Sequence, residues 1–587
     1  MKKFILQHIY TFYKNTQLIV VFPLILFSFL FINVYGQDSK SKSKFKVTGG
    51  INLSQDFFLY QSNDTLYRPS RPNSFTRIAA YTTFSYGKFS LPFSFSYILQ
   101  QKGSENLNSP IPSNFNLRDL LNNYNQLSFS PTFGKLQINL GTQVPKYSEL
   151  TCGDLPIFGV GFDWKPKRFR AAGFYGISQR GISSDSINRV IGSYQRTSFG
   201  GKIGLGEEEK SNFYINLVKH DDIVNYATVN SLGVLPQENV VVSVENKLVF
   251  FKKFFIKSEL ALSAYSNNIK INSLESDSFT LSINPIIKSL FKPRFSSSYG
   301  AAFNGSFGFK GNYWGFTTTG RAYSPDYRTL SYPFFQSDRI EWLVEPYFIL
   351  FKSRVSLNGS IGVRKDNFFA KKVAVNTQTI GSANLTLMPT SNWMINLMYA
   401  NFGMQNNVAN DTLRIQNIFS SYGISTSYTI LRKKFNHVIM FSFFKNEFED
   451  FNLVSGNFSN NITTTTTLGY SLNFLKIPLT LSTSGTIAEN TIFLGTLKIN
   501  MASINASYVL GKSKKANVGL GFSGIQTKQI EGTPDFNFTN TLTFSYKLLK
   551  KLNLGTNTTI NLLKYGNIKP GIANTESSIR LFANYTF

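Results

Sequence analysis

Along most of this chain, large apolar residues occupy every second position. In Phe89-Ser90-Leu91-Pro92-Phe93-Ser94-Phe95-Ser96-Tyr97 the rings and Leu91 alternate with small polar residues, the period of a strand with one greasy and one wet face. Pro92 cannot donate to a ladder and predicts a local bulge or bend. The last stretch repeats the rhythm. Ser577, Ile579, Leu581, Ala583, Tyr585 and Phe587 share one face, and Ser578, Arg580, Phe582, Asn584 and Thr586 share the other.

Strand-like runs are separated by turns built from Gly, Asn or paired Lys. Short turns are predicted at Gly87-Lys88, Gly134-Lys135, Lys165-Pro166-Lys167-Arg168, Gly206–Ser211, Lys252-Lys253 and Gly311-Asn312. They continue at Lys352-Ser353, Pro389–Asn392, Arg432-Lys433-Lys434, around Lys476, at Gly511–Lys515 and at Lys550-Lys551. Between them lie longer polar connections: Gln61–Ser74, Gln100–Asn125, Val144–Pro156, His220–Glu238, Ser266–Ser298, Ser324–Asp338 and Gly566–Ala573. Short turns at one end and long loops at the other predict an all-β, transmembrane antiparallel β-barrel. An opening strand near Val47–Tyr60, twelve hairpins and a closing strand at Thr575–Phe587 give about 26 strands, within a range of 22 to 26. Phe279–Phe291 would break that parity and is assigned to a long loop with a short helical piece.

Composition agrees with this reading. Of 587 residues, 57 are Phe and 29 Tyr, and 42% are hydrophobic. A mean hydropathy of -0.10 is too polar for a bundle of membrane helices. Lys2, Lys3 and Lys14 precede the apolar run Leu18–Ile32, which leads to Val34-Tyr35-Gly36, a small-residue cleavage pattern. Residues 1–36 are therefore expected to be a signal peptide, 37–46 a short periplasmic segment and 47–587 the barrel. Pro23 and the polar Gln37-Asp38-Ser39-Lys40-Ser41 argue against a membrane anchor, and beyond Ile32 no run approaches the roughly 18 apolar residues of a spanning helix. No cysteine follows the cleavage region, so lipoprotein processing is not expected. Cys152, the single cysteine, is read as an inert loop residue.

The formal charge is +28; loss of Lys2, Lys3 and Lys14 with the leader takes it to +25. The cations are scattered over strand ends and turns, which argues for anionic lipid headgroups and against nucleic acid. Turns such as Phe250-Phe251-Lys252-Lys253-Phe254-Phe255 carry the apolar flanks that an interface needs. Trp164, Trp314, Trp342 and Trp393 are expected in an aromatic girdle.

Chemistry is sparse. Of three histidines, His8 lies in the leader and His437 follows a basic turn, where a rim position is expected. His220-Asp221-Asp222, placed at an extracellular strand end, is the one trio that could activate water; a solvated loop is the preferred reading. No catalytic residue, metal site or cofactor is assigned, and the chain is expected not to be an enzyme. The segment Gly153-Asp154-Leu155-Pro156-Ile157-Phe158-Gly159-Val160-Gly161 enters a strand, without the strand-loop-helix context of a nucleotide site.

The Phe/Tyr-rich alternation, Gln37 after the cleavage point and the terminal strand resemble the large outer-membrane barrels of Bacteroidota. Gly153-Asp154-Leu155-Pro156-Ile157-Phe158-Gly159 and Tyr327-Arg328-Thr329-Leu330 with Ser337-Asp338 also look family-like, without an assignable role. The closing strand resembles the signal read by the barrel assembly machinery, with Leu581, Tyr585 and Phe587 as its residues. The expected location is the cell outer membrane, with its lipid, the assembly machinery and a lumen-filling or surface protein as partners. TonB-dependent transporters, of similar size, carry a plug domain ahead of the barrel, whereas here the first strand is expected about ten residues after cleavage. A barrel of this girth needs a filled lumen, and inward-folded loops are expected, with Gln100–Asn125 and Ser266–Ser298 the longest candidates. The first functional expectation is a loop-gated channel or conduit for solutes or secreted protein. The second is a non-conducting scaffold of a secretion or surface complex, type IX-like, and a distant third is a hydrolase using His220 with Asp221 or Asp222.

Overall fold

The computed structural model describes residues 45–64, 72–100, 125–153, 155–186, 190–207, 209–229, 233–272, 290–332, 335–369, 372–408, 410, 413–452, 454–511, 514–529, 532–566 and 571–587. The expected leader, nearly all of the periplasmic segment, most of Gln100–Asn125 and residues 273–289 of Ser266–Ser298 lie outside these. The barrel is a compact unit of Val47–Phe84 and Lys88–Phe587.

Six segments open the chain: β1 (Phe45–Ser62), β2 (Ser74–Tyr86), β3 (Phe89–Gln100), β4 (Gln126–Phe129), β5 (Thr132–Phe133) and β6 (Leu136–Gln143). β4 and β5 are halves of one strand, since both pair with β3 and with β6. The break falls at Ser130-Pro131, where the Ser130 N–H donates to Pro92 O at 2.9 Å. Pro92 and Pro131, one register position apart on the two strands, remove donors that would continue the ladder, so the irregularity expected at Pro92 is present.

Ten strands follow: β7 (Ile157–Trp164), β8 (Phe169–Gln179), β9 (Gln195–Gly206), β10 (Asn212–Ile223), β11 (Glu238–Phe250), β12 (Phe254–Ser266), β13 (Ser297–Lys310), β14 (Trp314–Tyr323), β15 (Arg339–Leu350) and β16 (Val355–Asp366). Eleven more complete the sheet: β17 (Asn376–Thr390), β18 (Trp393–Asn406), β19 (Gln416–Leu431), β20 (Phe435–Asp450), β21 (Asn461–Phe474), β22 (Leu479–Ile492), β23 (Gly495–Leu510), β24 (Ala516–Lys528), β25 (Asp535–Leu549), β26 (Leu552–Lys564) and β27 (Ala573–Thr586). Consecutive strands pair antiparallel, and β27 returns to β1 from Gly50↔Thr586 to Ser62↔Asn574. With one strand divided, the 27 segments make a closed barrel of 26 strands. Closure removes both sheet edges, which hydrocarbon could not satisfy.

All twelve predicted turns fall between strands. The long connections differ in one place: β10 continues to Ile223, so His220, Asp221 and Asp222 belong to the strand and not to a loop. Further long connections, at 180–194 and 367–375 among others, were not legible in the sequence.

The two faces are inverted relative to a soluble protein. Ile361 is 64% exposed, Leu262 60% and Leu468 60%, all on the outer surface. Trp164, Trp314 and Trp393 are outward at the short-turn end and Trp342 near the opposite end, the placement of two aromatic belts. His437 sits beside the Arg432–Lys434 turn, its Nδ1 sharing a 2.7 Å hydrogen bond with Tyr470 Oη.

Candidate functional site: the loop-filled side of the lumen

Alternation decides which side chains meet inside. On β10, Asn212, Tyr214, Asn216, Val218, His220 and Asp222 point inward and are buried, while Phe213, Ile215 and Ile223 are exposed on the outer face. The register carries that inner face sideways: Ser198, His220, Asn239 and Tyr265 form one row across β9 to β12. Gly200, Val218, Val241, Ser263 and Gly300 form the next row, reaching β13.

Two connections fold back onto this wall. The first runs from Gln143 to Ile157. Its Tyr147 N–H donates to Cys152 O at 2.8 Å, closing a tight turn. Tyr147 packs on Phe174, rings 5.4 Å apart, with Ala172, Val218, Ile157 and Cys152 around it. Leu150 is buried with Val241, Ala261, Ala302, Tyr323 and Tyr327. Glu149 ion-pairs with Lys257 at 2.6 Å and accepts from Asn304 Nδ2 at 3.3 Å. Lys202 Nζ donates to Tyr147 O at 2.6 Å and to Glu245 at 3.1 Å while lying 4.3 Å from the Tyr214 ring centroid.

The second connection, from Ser324 to Asp338, lies on the first. Tyr327 Oη donates to Leu150 O at 2.8 Å, and Tyr332 Oη donates to Ser148 O at 2.9 Å. Asn239 Nδ2 donates to Arg328 O at 3.1 Å, and Asn239 Oδ1 accepts from the Leu330 N–H at 3.0 Å. Ser263 Oγ also donates to Arg328 O. Phe335 packs against Tyr323 and Tyr327, at 5.0 and 5.3 Å. A Cβ at Gly300 would collide with the Tyr327 backbone, and one at Gly153 with the Tyr332 hydroxyl. Bare glycine is what lets the loop backbone reach the wall and one loop reach the other. Of the segments that looked family-like in the sequence, Tyr327–Leu330 lies in the second loop and bonds to the first, and Gly153 of the other lies against Tyr332.

Fixed charge surrounds them. Arg196 holds Asp222 with two hydrogen bonds, 2.7 and 3.0 Å. On the outer face at the long-loop end, Glu238 takes Arg294 at 2.6 Å and Lys219 at 3.1 Å. Glu341 lies between Arg321 and Arg364, and Lys372 reaches Asp338 at 3.0 Å. These buried carboxylates need their partners, because an unpaired charge there would cost several kcal/mol. In the loops, burial pushes the Tyr327 hydroxyl up, and burial, with Cys152 and Asp163 nearby, does the same to Tyr147. Both phenols stay protonated, and Tyr327 keeps donating. Burial alone would raise the Glu149 carboxyl, but the hydrogen bond and charge of Lys257, helped by Arg321 and Asn304, hold it below its ordinary range.

The trio His220-Asp221-Asp222 does not converge. Neighbours on a strand face opposite ways, so Asp221 points outward toward Lys219 while Asp222 is clamped by Arg196. His220 is fully buried, with Nδ1 sharing a 2.6 Å hydrogen bond with Ser198 Oγ and Nε2 a 2.8 Å one with Ser331 Oγ. It rivets the second loop to the wall, and no substrate reaches it there. Cys152 is buried too, its Sγ 3.6 Å from Pro145 O. Among the described residues no group of three or more His, Cys, Asp or Glu side chains is placed to hold a metal ion.

Of the closing-strand residues, Leu581 is 43% exposed on the outer face, Tyr585 packs edge-on to Phe587 at 5.3 Å, and the Phe587 N–H donates to Gly49 O at 3.0 Å.

No family model matches the chain, and no curated protein matches it. Among solved structures, the P pilus usher PapC translocation pore is similar at 10% identity and a TM-score of 0.37, over 91% of this chain and 99% of that one. The ferric enterobactin receptor of Pseudomonas aeruginosa gives 9% and 0.41, over 92% and 80%. OccAB3 of Acinetobacter baumannii gives 10% and 0.31, over 64% and 98%. At such TM-scores these likenesses carry no argument about function, and the barrel rests on its own strand pairing.

Proposed function

We propose that this chain is a non-enzymatic conduit of the bacterial outer membrane, exported by the leader at 1–36 and gated by its own loops. It stands with the large Bacteroidota barrels that its sequence resembles, and its cargo is a solute or a secreted polypeptide. The carrying observation is the interlocked pair of loops, which fills one side of the lumen, from β7 to β16, through bonds to the wall and to one another. A barrel this wide, left empty, would breach the membrane, and a lining of loops on one side narrows it without abolishing passage. The loops that support this reading are Val144–Pro156 and Ser324–Asp338; most of Gln100–Asn125 and residues 273–289 of Ser266–Ser298 lie outside the described residues.

Conductance of purified protein in planar bilayers tests the proposal. Wild type should show discrete steps, and Tyr327→Phe combined with Glu149→Gln should raise the open probability by cutting two loop tethers. Silence from both proteins would sink the conduit and leave the scaffold reading.

A further inference from the structure

The opposite side of the lumen is built differently. On β17 to β24 the inward positions follow from the register, starting at Gln378, which accepts from Arg364 Nη1 at 3.3 Å on the inner wall of β16. Carried strand to strand, these positions hold Ser, Thr, Asn, Gly, Met and Phe with a few aliphatics. They include no Lys, Arg or Glu, and one Asp at the rim, Asp450, which accepts from Ser455 Oγ at 2.7 Å. The charges of these strands, such as Lys445 with Glu447 and Lys498 with Glu489, are on the outer face near the long-loop end. The β8 to β16 wall, by contrast, is studded with ion pairs.

Within the neutral wall, Ile380, Phe402, Phe419 and Phe448 are partners in register, one apolar row across four strands. Phe419 is 37% exposed, and the other three are half-buried. The row below it is mostly polar, with Ser421 donating to Asn446 Oδ1 at 2.7 Å, and the row above runs Gln378, Met404, Asn417 and Asp450. Rings bordered by amides and hydroxyls, with the neighbouring Asp450 carboxylate taken up by Ser455 Oγ and the Asn452 N–H, match a ligand with alternating C–H and O–H faces and no charge. A charged polymer would lose hydration there and find one fixed charge, Asp450 at the rim, already hydrogen-bonded to Ser455.

We infer that this row is a binding stripe for a neutral oligosaccharide chain; the inference rests on the conduit reading and specifies its solute. Sugar rings lie against Phe402, Phe419 and Phe448, and their hydroxyls exchange hydrogen bonds with the flanking Ser and Asn side chains. Selectivity comes from the lining, since the lumen-facing residues decide what passes.

The test separates binding from conduction. Maltohexaose, a polyethylene glycol of equal size and an unfolded peptide of similar length are titrated calorimetrically into detergent-purified barrel, and each is added in bilayer recordings. Maltohexaose should bind saturably and interrupt current in resolved events. Phe402→Ser/Phe419→Ser/Phe448→Ser should weaken binding about tenfold. If the triple variant fails to fold, judged by heat-modifiability on gels, Phe419→Ser alone should weaken it measurably. Maltohexaose that does not bind, binding no stronger than that of the glycol, tighter binding of the peptide, or affinity unmoved by Phe419→Ser would each overturn the stripe. Absent conductance with intact sugar binding would instead overturn the conduit.

Discussion

Single side chains here act as fasteners between a loop and a wall. Asn239 offers its amide to Arg328 O and Ala264 O and accepts from Leu330, so Asn239→Ala strands buried groups on both elements. The expected cost is about 1–3 kcal/mol, concentrated on the second loop. Trypsin reports it: Arg328 should resist cleavage in folded wild type and be cut in Asn239→Ala, and equal protection would refute the fastening role. Glu149 makes a different prediction, of pH. Its carboxyl is held below the ordinary 4.5, so the tether to Lys257 is complete above that value and is lost as pH falls through the lowered one. Wild-type protease resistance of the first loop should therefore hold from neutrality to about pH 5 and drop in stronger acid. Glu149→Gln should be weaker at pH 7 and show no such acid step. The sequence displayed these residues without their roles. His220 read as part of a solvated loop because Lys219 and Asp221 beside it are polar, yet those two face outward near the strand end and His220 faces Ser198 and Ser331, residues remote in sequence.

At the scale of the element, alternation and turn chemistry were legible because both are local. The twelve predicted turns were found, the two-residue turn Phe493-Leu494 at the long-loop end was not, and the aromatic belts followed from Trp near strand ends. Which long loops fold inward was not legible, since length says nothing of fit. Val144–Pro156 and Ser324–Asp338 enter because Lys202, Gly300 and Asn239 receive them, and the contacts join residues as far apart as Asn239 and Arg328 or Ser148 and Tyr332. The turns also hold strain that composition hides. Phe251 and Lys252 both have positive φ, 51° and 59°, without being glycine. A hairpin needs that twist, and Asn-Gly supplies it cheaply, whereas Phe and Lys cost about 1 kcal/mol each. Phe251 is 85% exposed, placing its ring where the membrane interface would be. Phe251→Asn/Lys252→Gly should accordingly raise the unfolding midpoint in detergent micelles, where turn strain dominates, and weaken retention in lipid bilayers, where the ring is wanted. A change of the same sign in both solvents would contradict this division.

For the whole molecule, closure is the decisive event, because it joins residues more than five hundred positions apart. β1 and β27 meet along Gly50↔Thr586 to Ser62↔Asn574, and Arg580 Nε donates to Asp56 Oδ1 at 2.6 Å across that seam, inside the lumen. Such a non-local pairing is slow to find, and its register must be specified, since a slip of one residue would turn Ile579, Leu581 and Tyr585 toward water and Arg580 toward lipid. The hydrophobic rhythm supplies the main specification and the ion pair supplies a second. Asp56→Arg places two cations opposite each other and should reduce the heat-modifiable folded fraction, as should Arg580→Asp with two carboxylates. The combined Asp56→Arg/Arg580→Asp barrel restores opposite charges at the same register and should recover most of the folded yield. A double variant no better than the worse single one would mean that the charge pair contributes nothing to closing. Deletion of Phe587 then isolates the terminus: it removes the bond to Gly49 O and the ring against Tyr585 but leaves the seam charges in place. If the terminal aromatic is an assembly signal, its loss should lower outer-membrane insertion in cells far more than refolding into micelles, where no assembly machinery reads it. Equal losses in both settings would assign Phe587 to stability alone.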